Sequence, residues 1–481
     1  MAIFSFLRSN ERRKYRSGST LNGRQPLAEG LSEDSLRQLR DMFARNESDK
    51  IDALISAQPE TLKYVEQLIT DEYVSRDATW KLVEHNARGN DWAKIDTLLR
   101  HTDTRIRSCS AWALSALAEK GHSIRTATPS LEWGLSDRRG DVKQNAAKAL
   151  ISDAANSGTE SLEAIERALA SPKDYVRENM VQMLSEALSV IRTRDVSLRL
   201  LGKAMASEFG DVRAYSVGAV SEASEKGIDI TLVVGALAQR LSKDNPVEIR
   251  RDASWALGNA AVNRTDLSAV ADVVGAAILD RDLTVRMNSS WALMSAAERK
   301  GDVGGAVDGL TAGLSDKNEI IRLNCAKALV NAASDPKKGE KAVSALSGVL
   351  MDRKSKERAK EMASWALIYA VEMECDITPA IGALSHTLIH GSKILKLNSS
   401  YALLGAAELG LSMEGAVQAL SHALSDKSQL IRLNAISALM HAGLKGNGIT
   451  GALESIRNAG MDENPEIRWR AMETVRIIES R

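Results

Sequence analysis

The chain has 481 residues, of which 44% are hydrophobic and only 4% aromatic, so it can bury a large core made mostly of small aliphatic side chains. Its 63 basic and 63 acidic residues cancel to a formal net charge of zero, which argues against a main role in non-specific nucleic-acid binding. No stretch approaches the roughly 18 consecutive apolar residues of a transmembrane helix.

Residues 1–30 form a basic segment that we expect to be a flexible arm. Six basic side chains face two acidic ones, a net charge of +4; they are Arg8, Arg12, Arg13, Lys14, Arg16 and Arg24 against Glu11 and Glu29. Three interpretations are open. The segment is a solvated tail, or residues 1–24 make a weak contact with a membrane or another anionic surface, or the segment folds back into a groove of the protein itself and competes there with partners. Apolar residues that precede the basic cluster would support the membrane contact: Ile3, Phe4, Phe6 and Leu7.

Residues 31–100 predict helices without a clean repeat, and we interpret them as an irregular N-terminal cap. The stretch Val74–Leu82, VSRDATWKL, resembles a degenerate copy of the motif that dominates the rest of the chain. Ser75 stands there in place of the expected basic residue.

One motif repeats through residues 101–481, and its most complete copy is Asp244–Asn263, DNPVEIRRDASWALGNAAVN. Each copy carries a basic residue, usually after Ile or Val, at Arg107, Lys143, Arg177, Arg213, Arg250, Arg286, Arg322, Lys360, Lys396, Arg432 and Arg468. Subtraction of neighbouring numbers gives steps of 34 to 38 residues, most often 36. So regular a spacing predicts an array of stacked structural repeats.

The pattern predicts two helices in each repeat and no strand anywhere in the chain. The first helix ends before an Asp, and we expect that Asp to cap the second, as in the capping-box spacing of Asp316 and Glu319. Pro246 and Pro465 fit the first turn of a second helix. Gly-containing loops such as Lys300-Gly301 would end it.

Positions in the second helix are numbered here from its basic residue. Ile or Val, small residues and Leu recur at −1, +3, +6, +7 and +10, which share about one third of the helix circumference. This stripe predicts the core face, and small residues at +3 and +6 allow close helix approach. We therefore predict an all-α fold, a right-handed superhelical α-solenoid of about twelve two-helix repeats with a period of 36 residues.

The Asp-turn-Ile/Val-Arg-x-x-Ala-x-x-Ala-Leu core resembles the HEAT family of armadillo-like α-solenoids, including its short phycobilin-lyase-like variety, from about Val74 to the C-terminus. The resemblance implies a structural ladder between the turn Asp and the helix Arg of successive repeats. The matching acids are Asp137, Asp244, Asp280, Asp316, Asp426 and Asp462, and the matching arginines Arg250, Arg286, Arg322, Arg432 and Arg468. The Asp position is occupied by other residues at His101, Ser171, Ser207 and His390.

Position +5 lies about 140° from the core stripe and carries aromatic residues at Trp112, Trp255, Trp291, Trp365 and Tyr401. Positions +2 and +9 flank it and carry Asn259, Asn288, Asn324, Asn398 and Asn434, together with Asn145, Asn179 and Asn331. Second helices line the concave side of such solenoids. We therefore expect aromatic and amide side chains to share that face, with Trp255 near Trp291 and Trp365 near Tyr401.

This face suits a protein or extended-peptide partner, because amides pair with a foreign backbone and indoles provide rigid apolar walls that also attract cations. Trp255 and Asn259 resemble the Trp…Asn pair with which armadillo solenoids of the importin-α type hold extended basic peptides. The alternatives are that the aromatic row packs between repeats, or that it binds another ligand. The predicted partner-binding residues are Trp112, Trp255, Asn259, Asn288, Trp291, Asn324, Trp365, Asn398, Tyr401 and Asn434.

Nothing in the chain indicates catalysis, a metal or a cofactor. His386 and His390 have an i, i+4 spacing without a carboxylate partner, and Cys325 falls on the core stripe. The separated cysteines suit a reducing, cytoplasmic setting. We predict a non-catalytic scaffold or adaptor. A HEAT-like lyase or other protein-modifying enzyme, and a nucleic-acid or membrane-surface adaptor acting through the basic arm, are the alternatives.

Overall fold

The computed structural model describes residues 32–334 and 339–480, and these contain α-helices and short 3-10 turns but no strand. The all-helical prediction is therefore confirmed. The basic arm predicted for residues 1–30 lies outside the described residues. The chain forms two compact units, one ending at Ala149 and one beginning at Leu150. This division does not coincide with the predicted one near residue 100, which stays a prediction.

The first unit contains seven complete helices in its described part and the start of an eighth. They are α1 (Glu33–Ala44), α2 (Ser48–Ala57), α3 (Thr61–Leu68), α4 (Ser75–Arg88), α5 (Trp92–Leu99), α6 (Thr104–Glu119) and α7 (Thr128–Gly134), and α8 (Gly140–Ala154) begins in this unit. Helix α4 packs against α5 and α6, so the degenerate motif copy forms a second helix like the later ones.

The second unit alternates shorter and longer helices. They are α9 (Thr159–Leu169), α10 (Asp174–Ala187), α11 (Ile191–Ala204), α12 (Gly210–Glu225), α13 (Val234–Arg240), α14 (Val247–Val262), α15 (Ala271–Ala277), α16 (Leu283–Glu298), α17 (Val307–Gly313), α18 (Glu319–Ala333), α19 (Gly339–Met351), α20 (Glu357–Glu372), α21 (Ile381–His390), α22 (Lys393–Leu409), α23 (Val417–Ala423), α24 (Gln429–Leu444), α25 (Leu453–Ala459) and α26 (Pro465–Glu479).

Most first helices of the second unit consist of a 3-10 turn followed by a brief α-helix. Before α17, for example, Gly304–Ala306 form such a turn. The preceding Asp302 accepts a hydrogen bond from the Gly304 N–H at 2.8 Å, and Asp266 and Asp376 do the same for the turns before α15 and α21. These caps satisfy amides that have no intrahelical partner.

The core stripe lies where the periodicity predicts it. In α14, the residues at −1, +3, +6, +7 and +10 are no more than 3% exposed; they are Ile249, Ala253, Ala256, Leu257 and Ala260. From α12 to α24, each second helix packs against its own first helix and against the second helix on either side of it. The second unit is therefore a stack of helix pairs, in which each pair covers the apolar face of the next.

Several second helices end in Schellman motifs, but the residue in the left-handed conformation is not always glycine. After α16, Lys300 has φ of +62°, and the N–H of Gly301 donates to the carbonyl of Ala296 at 2.9 Å. A Cβ on Gly301 would lie 2.9 Å from that carbonyl oxygen, which explains the glycine there. Arg264 after α14 also has a positive φ, of +68°, whereas Gly410 and Gly446 occupy this position after α22 and α24.

In the described part of the chain, none of the helices combines the length and apolar character needed to cross a bilayer.

Candidate functional site

A ladder of ion pairs joins successive repeats, as the resemblance implied. In the second unit Arg250 Nε lies 2.9 Å from Asp280, Arg286 Nε lies 2.8 Å from Asp316, and Arg432 Nε lies 2.7 Å from Asp462. Lys396 pairs with Asp426 at 3.7 Å, and in the first unit Arg107 pairs with Asp137 at 2.7 Å. Each of these pairs spans 30 residues of sequence.

The turn Asp does not cap the second helix as predicted. Asp316 accepts the N–H of Asn318 at 2.7 Å and so closes an Asx turn, which leaves its other oxygen for Arg286. The cap is Asn318, whose side chain accepts from Ile320 and Ile321. The capping-box prediction for Asp316 and Glu319 is therefore wrong. Pro465 is the first residue of α26 as expected, whereas Pro246 precedes α14.

The ladder is interrupted at several of the implied residues. Asp244 contacts Ser242 Oγ at 3.1 Å, and Arg322 and Arg468 donate to carbonyls of their own turns. Where Ser207 replaces the turn Asp, Arg177 instead pairs with Asp211 at 2.5 Å. Each such ion pair is one rung of the ladder. A rung is complete where the repeat keeps both its spacing and its turn Asp, or where a nearby carboxylate substitutes.

Trp255 and Trp291 form an indole pair on neighbouring second helices, as predicted. Their ring centroids are 5.4 Å apart with an interplanar angle of 27°. Trp255 is 38% exposed, and its Nε1–H donates to Glu225 Oε1 at 2.5 Å. Glu225, at the end of α12, fixes the rotamer of an indole whose outer face remains in solvent.

Trp291 is half-buried because its ring lies against the backbone of α14 at Gly258. A Cβ at that position would overlap the six-membered ring of Trp291. The indole at +5 therefore has two roles, since it packs on the previous second helix and also forms part of the surface.

The same surface continues in the later repeats. Trp365 contacts Tyr369, four residues on in the same helix, with centroids 4.3 Å apart. The nearness of Trp365 to Tyr401 stays a prediction. Tyr369 and Tyr401 are 42% and 40% exposed. Lys327, exposed at +5 of α18, separates this group from the Trp255–Trp291 pair. We call the residues Trp255, Trp291, Trp365, Tyr369 and Tyr401 the aromatic surface.

In the first unit, the environment of Trp112 is occupied by the protein's own side chains. Its ring lies 5.1 Å from that of Trp80, and the Arg76 guanidinium lies over it at 4.4 Å. Trp80 is at +5 if Ser75 is taken as the reference residue. The degenerate copy therefore keeps the aromatic residue of position +5, although its basic residue is missing. Trp112 is therefore not part of the aromatic surface.

The asparagines at +2 do not lie on the outward face as predicted. Asn288, Asn324 and Asn434 are 9%, 8% and 4% exposed. Each Nδ2 donates to a Ser Oγ of the preceding second helix: Asn288 to Ser254 at 3.1 Å, Asn324 to Ser290 at 3.2 Å, Asn398 to Ser364 at 2.9 Å and Asn434 to Ser400 at 3.0 Å. In the first unit, Asn145 donates to Ser108 Oγ at 3.0 Å.

The location differs because a second helix has a neighbour on either side, and +2 faces the preceding one. In the second unit this Asn–Ser ladder runs from +2 of one helix to +4 of the helix before it, whereas Ser108 in the first unit stands at +1. Asn259, at +9, likewise donates to Ser224 Oγ at 3.3 Å. Trp255 is thus on the surface without a free amide beside it, and the likeness to an armadillo Trp…Asn pair is confined to sequence.

Carboxylates surround the Trp255 end of the aromatic surface. Asp252 lies one turn before Trp255, and its pKa is raised by burial and by the negative charges of Glu225 and Glu248. No ion pair from a described residue neutralises these three groups. This end of the surface therefore favours a cationic group over an anionic one.

Other reactive side chains do not assemble into a site. Among the described residues, no three of His, Cys, Asp and Glu are placed to hold a metal ion. The rings of His386 and His390 touch each other, with centroids 4.9 Å apart. Burial raises the pKa of the Cys325 thiol, which is inert as predicted from its core position. A cleft of about 710 Å³ between the loops after α14 and α16 is lined by Arg264, Arg299 and Lys300 among others.

No protein-family model and no curated protein matches the chain. Solved structures similar to it include two engineered proteins and the karyopherin Kap121p bound to the extreme C-terminus of the protein phosphatase Cdc14p. The first engineered protein is 20% identical with a TM-score of 0.36, covering 80% of this chain and 98% of that one. The second is 18% identical with a TM-score of 0.32, covering 44% and 99%. The karyopherin is 14% identical with a TM-score of 0.40, covering 93% and 49%. These likenesses are too weak to transfer a function.

Proposed function

We propose that the protein is a non-catalytic scaffold or adaptor, which binds a partner protein through an extended segment lying along the aromatic surface. The observation that carries the proposal is the Trp255–Trp291 pair, stacked at 5.4 Å and held by Glu225. Indoles that are already ordered lose little conformational freedom on binding and offer a large apolar area. Exposed aromatic residues that recur in several repeats are typical of an interaction surface.

The chemistry of this surface specifies the kind of segment. Trp255, Tyr369 and Tyr401 would contact apolar or long aliphatic side chains, and the carboxylates near Trp255 would favour a positively charged residue there. The buried asparagines would not take part directly, because their amides are already donated to serines.

The finer architecture belongs to the same proposal. We infer a right-handed superhelix of about twelve HEAT-like repeats, with the aromatic surface on the concave face and the array acting in the cytoplasm. The Arg–Asp pairs that recur 30 residues apart support a common repeat geometry. The three thiols, all free, suit a reducing compartment.

The proposal is tested by capturing partners on the full-length protein and quantifying them by mass spectrometry. Trp255→Ala removes an exposed indole and should reduce recovery of specific partners at least about tenfold, which corresponds to about 1.4 kcal/mol. Trp469→Ala is the matched control, because Trp469 is 54% exposed on α26 but stands at +1 rather than +5.

Circular dichroism melting of both variants separates binding from folding. Equal recovery of every partner by wild type and Trp255→Ala, with both proteins folded, would show that the aromatic surface only packs repeats together. A combined Trp255→Ala/Trp291→Ala variant is informative only if its helix content is retained, because Trp291 covers Gly258.

A further inference from the structure

The Arg–Asp ladder is interrupted at several places in the second unit, and one of these interruptions brings two guanidinium groups together. In complete rungs the Asp stands 30 residues after the Arg, as in Arg250 with Asp280. The residue 30 positions after Arg213 is Lys243, because the step from Arg213 to Arg250 is 37 residues and displaces the turn acid to Asp244. Asp244 contacts Ser242 instead. Arg213 is therefore without its rung.

The guanidinium of Arg213 is nevertheless arranged like those of complete rungs. In Arg250, Nη1 donates to the carbonyl of Asn245 at 2.6 Å while Nε and Nη2 hold Asp280 at 2.9 and 3.1 Å. Arg213 likewise uses Nη1, which donates to the carbonyls of Ser207 and Glu208 at 2.8 and 3.0 Å. Its Nε and Nη2, the two groups that hold a carboxylate elsewhere, make no hydrogen bond to a described residue.

A second guanidinium is close by. Arg240, the last residue of α13, donates from Nη1 to the carbonyl of Met205 at 2.6 Å, but its Nε is buried and has no hydrogen-bond partner in the described part of the chain. Burial and the positive charge of Arg213 both lower the pKa of Arg240. The nearby acid that could have compensated, Asp211, is paired with Arg177.

Arg240 has a buried N–H donor without a partner, and the half-buried Arg213 directs no N–H of Nε or Nη2 to a described residue. At a place where complete pairs hold a carboxylate, this arrangement suits an anion. We propose that the missing rung is a binding site for a small oxyanion of the phosphate or sulfate class, held by Nε and Nη2 of Arg213 and by Nε of Arg240. The exposed Lys243 adds positive charge at its entrance. The bound anion replaces the carboxylate of the rung and links α12 to the turn before α14. This site is separate from the aromatic surface and does not depend on the proposed function.

The test introduces the missing carboxylate by mutation and measures whether the protein still binds phosphate. Lys243→Asp places a carboxylate 30 residues after Arg213, as in complete rungs. Lys427→Asp is the matched control, because it makes the same charge change on an exposed turn residue next to the complete Lys396–Asp426 rung. Thermal unfolding of the full chain is followed while inorganic phosphate replaces chloride at constant ionic strength, and binding is measured by calorimetry.

We expect phosphate to raise the Tm of the wild type in a saturable way, with a Kd at or below about 1 mM, and to do the same for Lys427→Asp. Lys243→Asp should have the higher Tm without phosphate and at least about tenfold weaker phosphate binding. Arg240→Met, which removes the second guanidinium, should weaken phosphate binding without replacing the rung. Absence of saturable phosphate binding by the wild type, or wild-type binding by Lys243→Asp, would overturn the proposal.

Discussion

The indole of Trp255 stacks on that of Trp291, with centroids 5.4 Å apart and planes inclined by 27°. The two rings belong to α14 and α16. The distance between the rings on the surface is therefore set by how these two helices pack in the core. Gly258 makes the contact possible, because Trp291 lies where a side chain at residue 258 would be. Binding surface and repeat packing are therefore coupled at this pair.

Gly258→Ala should destabilise the second unit. The added methyl group would overlap the ring of Trp291, and overpacking of this kind costs about 1–3 kcal/mol of unfolding free energy. Denaturant unfolding gives the free energy, and near-ultraviolet circular dichroism should show a weaker indole signal.

Gly348→Ala is the control for that change. Gly348 is exposed in α19, and an added Cβ there would have no neighbouring atom within 4 Å, so Ala should stabilise the helix by up to about 1 kcal/mol. Equal effects of the two substitutions would contradict a specific contact between Gly258 and Trp291.

The sequence predicted those features that depend on a single helix or on repeat spacing. The core stripe of Ile249, Ala253 and Leu257 follows from helical periodicity alone. The nearness of Trp255 and Trp291 follows from their equivalent positions 36 residues apart. The core stripe and the indole pair could therefore both be predicted from the sequence.

Features that depend on the angle between neighbouring helices were not predicted. A helical wheel places Asn434 outward because it ignores the preceding second helix, whose Ser400 accepts the Asn434 amide. The recurrence of Ser at +4 before Asn at +2 was a readable signal for that pairing. Likewise, Trp80 was overlooked because Ser75 replaces the basic residue used to set the numbering.

Asn434→Ala should destabilise the fold rather than impair partner binding. Asn434 is 4% exposed and its Nδ2 lies 3.0 Å from Ser400 Oγ, so the substitution removes a buried hydrogen bond and leaves a small void; the expected loss is about 1–3 kcal/mol. Asn331→Ala is the control, since the Asn331 amide bonds only to the Lys327 carbonyl of its own helix. Its effect in the same urea titration should stay within about 0.5 kcal/mol. A stable Asn434→Ala protein that no longer captures partners would contradict the structural role.

Lys300→Gly should stabilise the protein. Lys300 has φ of +62°, a conformation that is unfavourable by about 1 kcal/mol for a residue with a Cβ and not for glycine. The gain is partly offset because glycine is more flexible in the unfolded chain. Gly410→Ala, at the equivalent position with φ of +81°, should have the opposite effect. A rise in Tm for the first and a fall for the second is the expected pattern, and a fall in both would show that Lys300 makes a stabilising contact of its own.

The ion pair between Asp282 and Arg251 should make stability depend on pH in the acid range. The hydrogen bond from Arg251 is the main reason why the pKa of Asp282 lies at about 2, below its usual 3.8. A carboxyl whose pKa is lower in the folded protein stabilises it above the unfolded pKa, and this contribution is lost as pH falls through the folded pKa.

Asp282→Asn keeps an oxygen that can accept the Val285 N–H at the start of α16 but removes the charge. Wild type should therefore be more stable than Asp282→Asn at about pH 6, and urea unfolding should show the difference fading between about pH 4 and pH 2. Because Arg251 is exposed to solvent, the difference should be small and should shrink further in high salt. A difference that stays constant down to about pH 2 would mean that Asp282 acts through its cap alone and not through its charge.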